Sequence, residues 1–377
     1  MLKNIVIILL KISLIIFSKF IKVNRNRIFI TSFNGKCVAC NPYYIIKNLL
    51  KNKHSNIEIV VFSKLKNLNY DKIKFITKKN LKYYFYFFSS KILITNDSFS
   101  SYMPKKSNQI LINTWHGGGA YKRVNAKKFS QKILYKILYS DTNYFLSSCE
   151  IFSNVMSKDL YIHKIKFLKT GMPRNDIFFY SNIKENIKQN VREKFALEKD
   201  ECIILYAPTW RDDNREIISK VSNKNVIIAF KNFLNKKIKI FIRAHYNTKQ
   251  YSLGSDFIDA TDYPDMQELL CAADILITDY SSCMWDFSLM YKPCFIYATD
   301  IDQYKQERDF YTPMSEWPFP IATNTDELIN NILNFNQEEY VEKVKRHHRA
   351  LGSFEDGHAC ERACKLIEDI IDGKVQK

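Results

Sequence analysis

The chain lacks the cysteine spacing of a disulfide-stapled or zinc-bound scaffold. Its nine cysteines stand at 37, 40, 149, 202, 271, 283, 294, 360 and 364, an odd and scattered set. That pattern excludes a bridged secreted mini-domain and implies a reducing, cytoplasmic setting. Cys37-Val38-Ala39-Cys40 has a redox or zinc spacing, but no second such pair accompanies it, so it reads as an ordinary buried pair. No uncharged run approaches the ~20 residues that a membrane span needs, and no small-residue cleavage site follows the apolar N-terminus. A low-complexity linker, an RNA-binding signature and a carboxylate cluster for a metal are missing too. Acidic residues are scarce, 39 against 57 Lys and Arg, which leaves a formal charge of +18.

Such a surface attracts something anionic: nucleic acid, a phospholipid face or a phosphorylated substrate. With no nucleic-acid motif to support the first, no nucleic-acid partner is expected. The 377 residues are too many for one ordinary core and suit two domains, and a hydrophobic content of 46% excludes wholesale disorder. Residues 2–22 look at first like a signal peptide, yet the lysines at 3, 11, 19 and 22 fall on one side of a helical projection, with Ile and Leu filling the rest. This predicts an amphipathic helix over residues 1–24, lying in the membrane interface with Lys toward anionic headgroups. A helix docked on its own protein is the alternative.

Beyond it, short apolar strands alternate with helical patterns: 27–33, 57–63, 73–77, 92–96 and 110–114, then, after a polar stretch at 181–199, 202–206, 238–242, 257–259, 275–278 and 294–297. That order predicts an α/β protein of two Rossmann-like domains with parallel sheets facing a cleft, here 25–185 and 186–377. The charged helical tail from Asp326 to Ile371 is assigned to the second. Ligands of such sheets bind beyond the carboxyl ends of the strands, so those residues are the candidates for function.

Thr278 to Asp286, Thr-Asp-Tyr-Ser-Ser-Cys-Met-Trp-Asp, is a strand-to-helix turn at which Asp279 and Ser281 either cap a helix or, with Thr278 and Ser282, face an anion at the helix start. After the fifth strand comes Trp115-His116-Gly117-Gly118-Gly119-Ala120-Tyr121-Lys122-Arg123. Gly117 and Gly118 let the backbone approach a ligand and Lys122 adds charge, although this is neither a P-loop nor a dinucleotide fingerprint. His116 at its lip is placed to take a proton from an attacking hydroxyl. Arg211 and Arg243 follow strands of the second half and could clamp phosphate. His245, just after Arg243, could stabilise charge on a leaving diphosphate. The loop Gly171 to Asp176 reads as structural.

Taken together, Thr-Trp-His-Gly at 114–117, Gly-Met-Pro-Arg-Asn-Asp at 171–176, Tyr-Ala-Pro-Thr-Trp-Arg at 206–211, Arg-Ala-His at 243–245, Leu-Ile-Thr-Asp-Tyr-Ser-Ser at 276–282, Tyr-Ala-Thr-Asp at 297–300 and Glu-Arg-Asp-Phe-Tyr at 307–311 resemble, in order and spacing, the CDP-glycerol glycerophosphotransferase family of teichoic acid and capsule enzymes. The resemblance implies a GT-B arrangement at the cytoplasmic membrane face, peripheral to it, and transfer of glycerol phosphate from CDP-glycerol to a lipid-linked or capsular acceptor with release of CMP. It also implies that His116 is the base, that His245 holds the donor diphosphate and that Ser281 and Ser282 contact it. No cofactor is required, and Mg²⁺ is compatible with the chemistry but unneeded. The chain departs from the family's His-Gly-Thr-Pro-Leu-Lys at Gly118 to Tyr121, and Ala244 stands where Arg-Pro-His has its proline. CDP-ribitol as donor, a GT-B sugar transferase, and a basic membrane-binding protein without catalysis are the competing readings.

Overall fold

A computed structural model describes residues 2–51, 56–65, 71–124, 129–162, 166–209, 223–243, 255–307 and 309–375. The chain forms two compact units, one of Met1–His116, Val124–Asp176 and Phe354–Lys377, the other of Gly117–Arg123 and Ile177–Ser353.

In the first unit seven strands form a parallel sheet in the order β3-β2-β1-β4-β5-β6-β7. They are β1 Asn24–Thr31, β2 Glu58–Phe62, β3 Ile73–Ile76, β4 Ser90–Thr95, β5 Ile110–Asn113, β6 Tyr144–Leu146 and β7 Lys166–Leu168. Buried on both faces, these strands read as continuous apolar runs, as strands of a covered parallel sheet must. Ile28, Ile30, Ile92 and Ile94 point into one core layer and Phe29, Leu93 and Leu111 into the other. Because the chain first winds outward from β1 to β3 and then restarts at β4, the strand order reverses between β1 and β4, and a crevice opens at their carboxyl ends.

Helix α1, Leu2–Lys19, docks through Leu14, Phe17 and Ser18, with Ile21 just after it, while Val6, Ile8, Leu9, Ile12, Ile15, Ile16 and Phe20 stay exposed. One stripe thus sits on the protein's own core and a broad apolar face is left outside. Among the described residues no helix is long and apolar enough to cross a membrane.

The final helix departs from expectation. Although the tail was assigned to the second half, Ala359–Ile371 adds Ala363, Cys364, Ile367 and Ile370 to the first unit's core beside Ile45 and Ile46 of the helix Cys40–Lys51. Its start is held by Asp176, whose carboxylate accepts from the backbone N–H of Ala359 at 2.9 Å and Cys360 at 2.7 Å.

The second unit repeats the plan with a six-stranded parallel sheet, β10-β9-β8-β11-β12-β13. Its strands are β8 Cys202–Ala207, β9 Ile238–Ile242, β10 Phe257–Asp259, β11 Ile275–Thr278, β12 Cys294–Tyr297 and β13 Ile321–Ala322. Here the order reverses between β8 and β11, so the carboxyl ends carrying Thr209 and Asp279 flank the crevice.

Candidate functional site

At the crevice of the first unit, three strand ends converge on His116. Its Nδ1 lies 2.7 Å from the carbonyl oxygen of Asn96, just past β4. A carbonyl can only accept, so Nδ1 carries a proton, and in the neutral ring the lone pair is then on Nε2. The ring is stacked on Trp115 with centroids 4.8 Å apart and meets the edge of Phe33, which follows β1, at 5.9 Å. The histidine itself is exposed.

Presenting the ring this way requires a turn that a bulky residue resists. Trp115 has φ 52, a left-handed conformation that costs such a residue about 1–2 kcal/mol. Three amide contacts hold it there. Asn41 donates to the carbonyls of Thr114 at 2.8 Å and Trp115 at 3.1 Å, and Asn113 accepts from the Trp115 N–H at 2.8 Å. Asn41 also accepts from the backbone N–H of Arg174, which ties the Gly171–Asp176 loop to the same turn. That loop is bolted in place: Glu355 accepts from Met172 N–H at 3.0 Å and from Asn175 at 3.1 Å, and Arg174 is buried.

The glycine segment is not where the sequence division put it. Gly117–Arg123 belongs to the second unit, although His116 before it and Val124 after it belong to the first. It lies there as an arm paired antiparallel with Asp309–Tyr311. Lys122 bridges Phe310, Arg123 N–H donates to Asp309 at 2.9 Å, and Tyr311 N–H donates to Tyr121 at 2.7 Å. The glycines are explained by Trp285: a Cβ on Gly118 would sit 2.2 Å from the indole Cδ1, and Gly119 has φ +65 besides. Tyr121 anchors the arm through its hydroxyl, 3.0 Å from His347 Nε2, and its ring stacks on that histidine. His348 packs against Trp285 with its Nε2 2.8 Å from the Ser288 hydroxyl. Burial pushes both imidazoles down to about 4, so they are neutral at physiological pH.

Trp285 lies in the helix Cys283–Ser288 that follows Ser281 and Ser282, so the arm and the Thr278–Asp286 turn form one neighbourhood. Within it the expected ligands divide. Ser281 and Ser282 are half-exposed, and the Nζ of half-buried Lys122 lies 5.6 Å from the ring centre of Tyr304, which stacks at 3.8 Å on Tyr280. Thr278 is fully buried and gives its hydroxyl to the Ala207 carbonyl at 2.7 Å. Asp279 is buried as well, accepting from the Thr209 N–H at 2.9 Å and hydroxyl at 2.5 Å and from Tyr280 N–H. Both side chains thus have partners within the scaffold at the β8–β11 crevice. The outward amides expected at the helix start are also spent: Met284 and Trp285 donate to the carbonyls of Ser281 and Ser282, and Cys283 N–H reaches the Ser281 hydroxyl at 3.4 Å.

Arg243 stands past β9 with its guanidinium donating to the Tyr263 carbonyl at 2.6 Å. His245 and Arg211 lie outside the described residues. Among the described residues no group of three or more His, Cys, Asp or Glu side chains stands together as a metal site.

Residues 13–369 match the family described as CDP-glycerol:poly(glycerophosphate) glycerophosphotransferase. The chain belongs to that family. A teichoic acid glycerol-phosphate transferase of Staphylococcus aureus is 28% identical, over 91% of this chain and 93% of that one. A teichoic acid poly(glycerol phosphate) polymerase of Bacillus spizizenii is 29% identical, over 84% and 86%. Among solved structures, the wall teichoic acid polymerase TagF, in a histidine variant soaked with CDPG, superposes with a TM-score of 0.85 at 27% identity, covering 100% of this chain and 97% of that chain. The family's recurring His-Gly, Arg-Asn-Asp and Asp-Tyr-Ser-Ser segments thus fall in this glycerophosphotransferase on the His116 turn, the Glu355-bound loop and the β11 strand end.

Sequence reasoning missed Asn41, Asn96, Tyr121, Trp285, His347 and His348. Asn96 was within reach of the rule that function sits just after strands. The others are brought in by tertiary packing, which no local spacing announces.

Proposed function

We propose that this glycerophosphotransferase moves glycerol phosphate from CDP-glycerol to a primary hydroxyl of a lipid-linked or capsular acceptor and releases CMP. The observation that carries the reading is the Nδ1–Asn96 bond, which puts the proton on Nδ1 of an exposed His116 and so makes Nε2 the basic nitrogen of the neutral ring. Nε2 takes the acceptor's hydroxyl proton, and the oxygen forms a bond to the donor's β-phosphorus. The bond from that phosphorus to the bridging oxygen breaks, and CMP departs with the electron pair. In the second unit Gly117, Gly118, Lys122, Ser281 and Ser282 cradle the diphosphate, with His245, Arg211 and Arg243 donating to it as charge builds on the leaving group. The two Rossmann-like units form a GT-B enzyme, and the chemistry requires no cofactor, Mg²⁺ being optional.

The protein works peripherally at the cytoplasmic face of the membrane. The exposed apolar face of α1, with Lys11 and Lys19 beside it, enters the interface of an anionic bilayer. A panel of CDP-glycerol, CDP-ribitol and a UDP-sugar, each with a lipid-linked acceptor, tests the donor. CMP from CDP-glycerol is expected; turnover of CDP-ribitol alone, or of the UDP-sugar alone, would replace the reading.

A further inference from the structure

The loop that leads from β1 into the helix Cys40–Lys51 carries a motif that the transfer chemistry does not use, Cys37-Val38-Ala39-Cys40. An ordinary buried pair describes Cys40 but not Cys37: eight of the nine cysteines are buried, and Cys37 alone is half-buried. A partly exposed thiol thus stands three residues from a buried one, the spacing of pairs that pass between dithiol and disulfide.

The loop is curled and strained. Ser32 Oγ donates to the Cys37 carbonyl at 2.7 Å and accepts from the Ala39 N–H at 3.1 Å, so the segment closes over one hydroxyl, and the chain bends at Val38. Phe33, Asn34 and Cys40 have φ 47, 54 and 61, and Trp115 has φ 52; these four are half of the eight non-glycine residues at positive φ among the described residues. Such conformations persist only where the surroundings hold them, and they gather at active sites and switches. Closing a bond between residues three apart on this curl takes a local adjustment rather than a rearrangement of the core.

The buried end of the motif is joined to the turn that presents the base. Arg174, itself buried, donates from Nη1 to Cys40 Sγ at 3.1 Å and from its backbone N–H to the Asn41 side chain at 3.1 Å. Asn41, the residue after Cys40, is fully buried and donates to the carbonyls of Thr114 and Trp115, just before His116. At the other end of the loop, Phe33 meets the His116 ring. Drawing Cys40 Sγ toward Cys37 takes it off Arg174 and moves Asn41 with it, so the Trp115 turn loses its clamp.

We propose that Cys37 and Cys40 are a redox-modification site: exchange with a low-molecular-weight disulfide closes a Cys37–Cys40 bond that loosens the His116 turn and slows transfer, and reduction reverses it. The Cys37 thiolate attacks one sulfur of the small disulfide, whose S–S bond breaks to release the first small thiolate. Cys40, its proton passing to solvent, then attacks the Cys37 sulfur of the mixed disulfide and displaces the second. Two protein thiols are oxidised and one small disulfide is reduced to two thiols. In a reducing cytoplasm the ring stays open at rest, and a rise in the disulfide pool closes it. The bond itself is independent of the glycerophosphotransferase reading; its effect on the rate rests on that reading.

The test incubates the purified full chain and its Cys37→Ser variant with oxidised glutathione, followed by tryptic mapping, steady-state kinetics and amide hydrogen exchange. The wild type should yield the peptide of residues 37–47 lighter by two hydrogen atoms and closed to alkylation. Its kcat for CMP release should fall at least about tenfold, the loss of roughly one hydrogen bond, with the donor KM unchanged, and exchange over residues 113–116 should quicken. Dithiothreitol should restore all of these, and Cys37→Ser should keep the reduced wild type's rate and exchange with or without the oxidant. A peptide 37–47 that stays a dithiol, or that carries only glutathione, overturns the proposal. So does a Cys37–Cys40 bond that leaves rate and exchange as they were, or an oxidised Cys37→Ser variant that slows as much as the wild type. Absence of CMP release by the reduced wild type would defeat the transferase reading instead, and mapping with hydrogen exchange would still decide the switch.

Discussion

His116 owes its role to its neighbours. An imidazole in solution divides its proton between two nitrogens; here the Asn96 carbonyl holds it on Nδ1, at a turn whose Trp115 is held in a left-handed conformation. In the proposed mechanism the backbone carbonyl of Asn96 is what selects the basic nitrogen. His116→Ala should lower the rate of CMP formation by 10²-fold or more while Tm stays unchanged, the size expected for a lost general base whose side chain is exposed. Undiminished turnover in that variant would assign the proton transfer elsewhere. A strand end followed by His and glycines made this residue visible in the sequence. Asp279 was visible for the same reason, its place after a strand, but only the fold reveals Thr209 across the crevice donating to its carboxylate.

Among elements, the glycine arm and the turn after β11 depend on each other. Gly118 is glycine because Trp285 fills the space of its Cβ, so adding a methyl group should push the arm off the turn at the 1–3 kcal/mol cost typical of overpacking. Gly118→Ala is expected to raise the KM for CDP-glycerol about tenfold, and adding Trp285→Leu to make room should restore it to within about threefold. If the double variant binds donor no better than Gly118→Ala, the indole does not set the arm's position. The terminal helix carries a separate prediction. Ile12 and Ile16 are about half exposed, at 48% and 53%, so Ile12→Glu with Ile16→Glu should leave Tm nearly unchanged and weaken binding to anionic vesicles at least tenfold. Vesicle binding equal to the wild type would remove α1 from the membrane account. The test spares Leu14 and Ile21, which deletion of residues 1–22 would strip from the core.

At the scale of the whole molecule, the tandem parallel sheets were legible because strands covered on both faces are continuous apolar runs, and Ile92–Thr95 or Ile238–Ile242 admits little else. Tyr144–Leu146 and Ile321–Ala322 escaped notice, since strands of three and two residues carry no pattern. The division between units was less visible still. Nothing local tells the amphipathic helix Ala359–Ile371 which core to join; Asp176, some 180 residues earlier, captures its first amides. The arm Gly117–Arg123 likewise reveals its allegiance only through Trp285 and His347. What these parts are built to do together is a single group transfer. The most direct test is to incubate the purified full chain with CDP-glycerol and a lipid-linked acceptor, quantifying CMP and weighing the product by mass spectrometry. The account predicts CMP in equal amount to glycerol phosphate units added to the acceptor, and it is contradicted if CDP-glycerol remains intact while the acceptor keeps its mass.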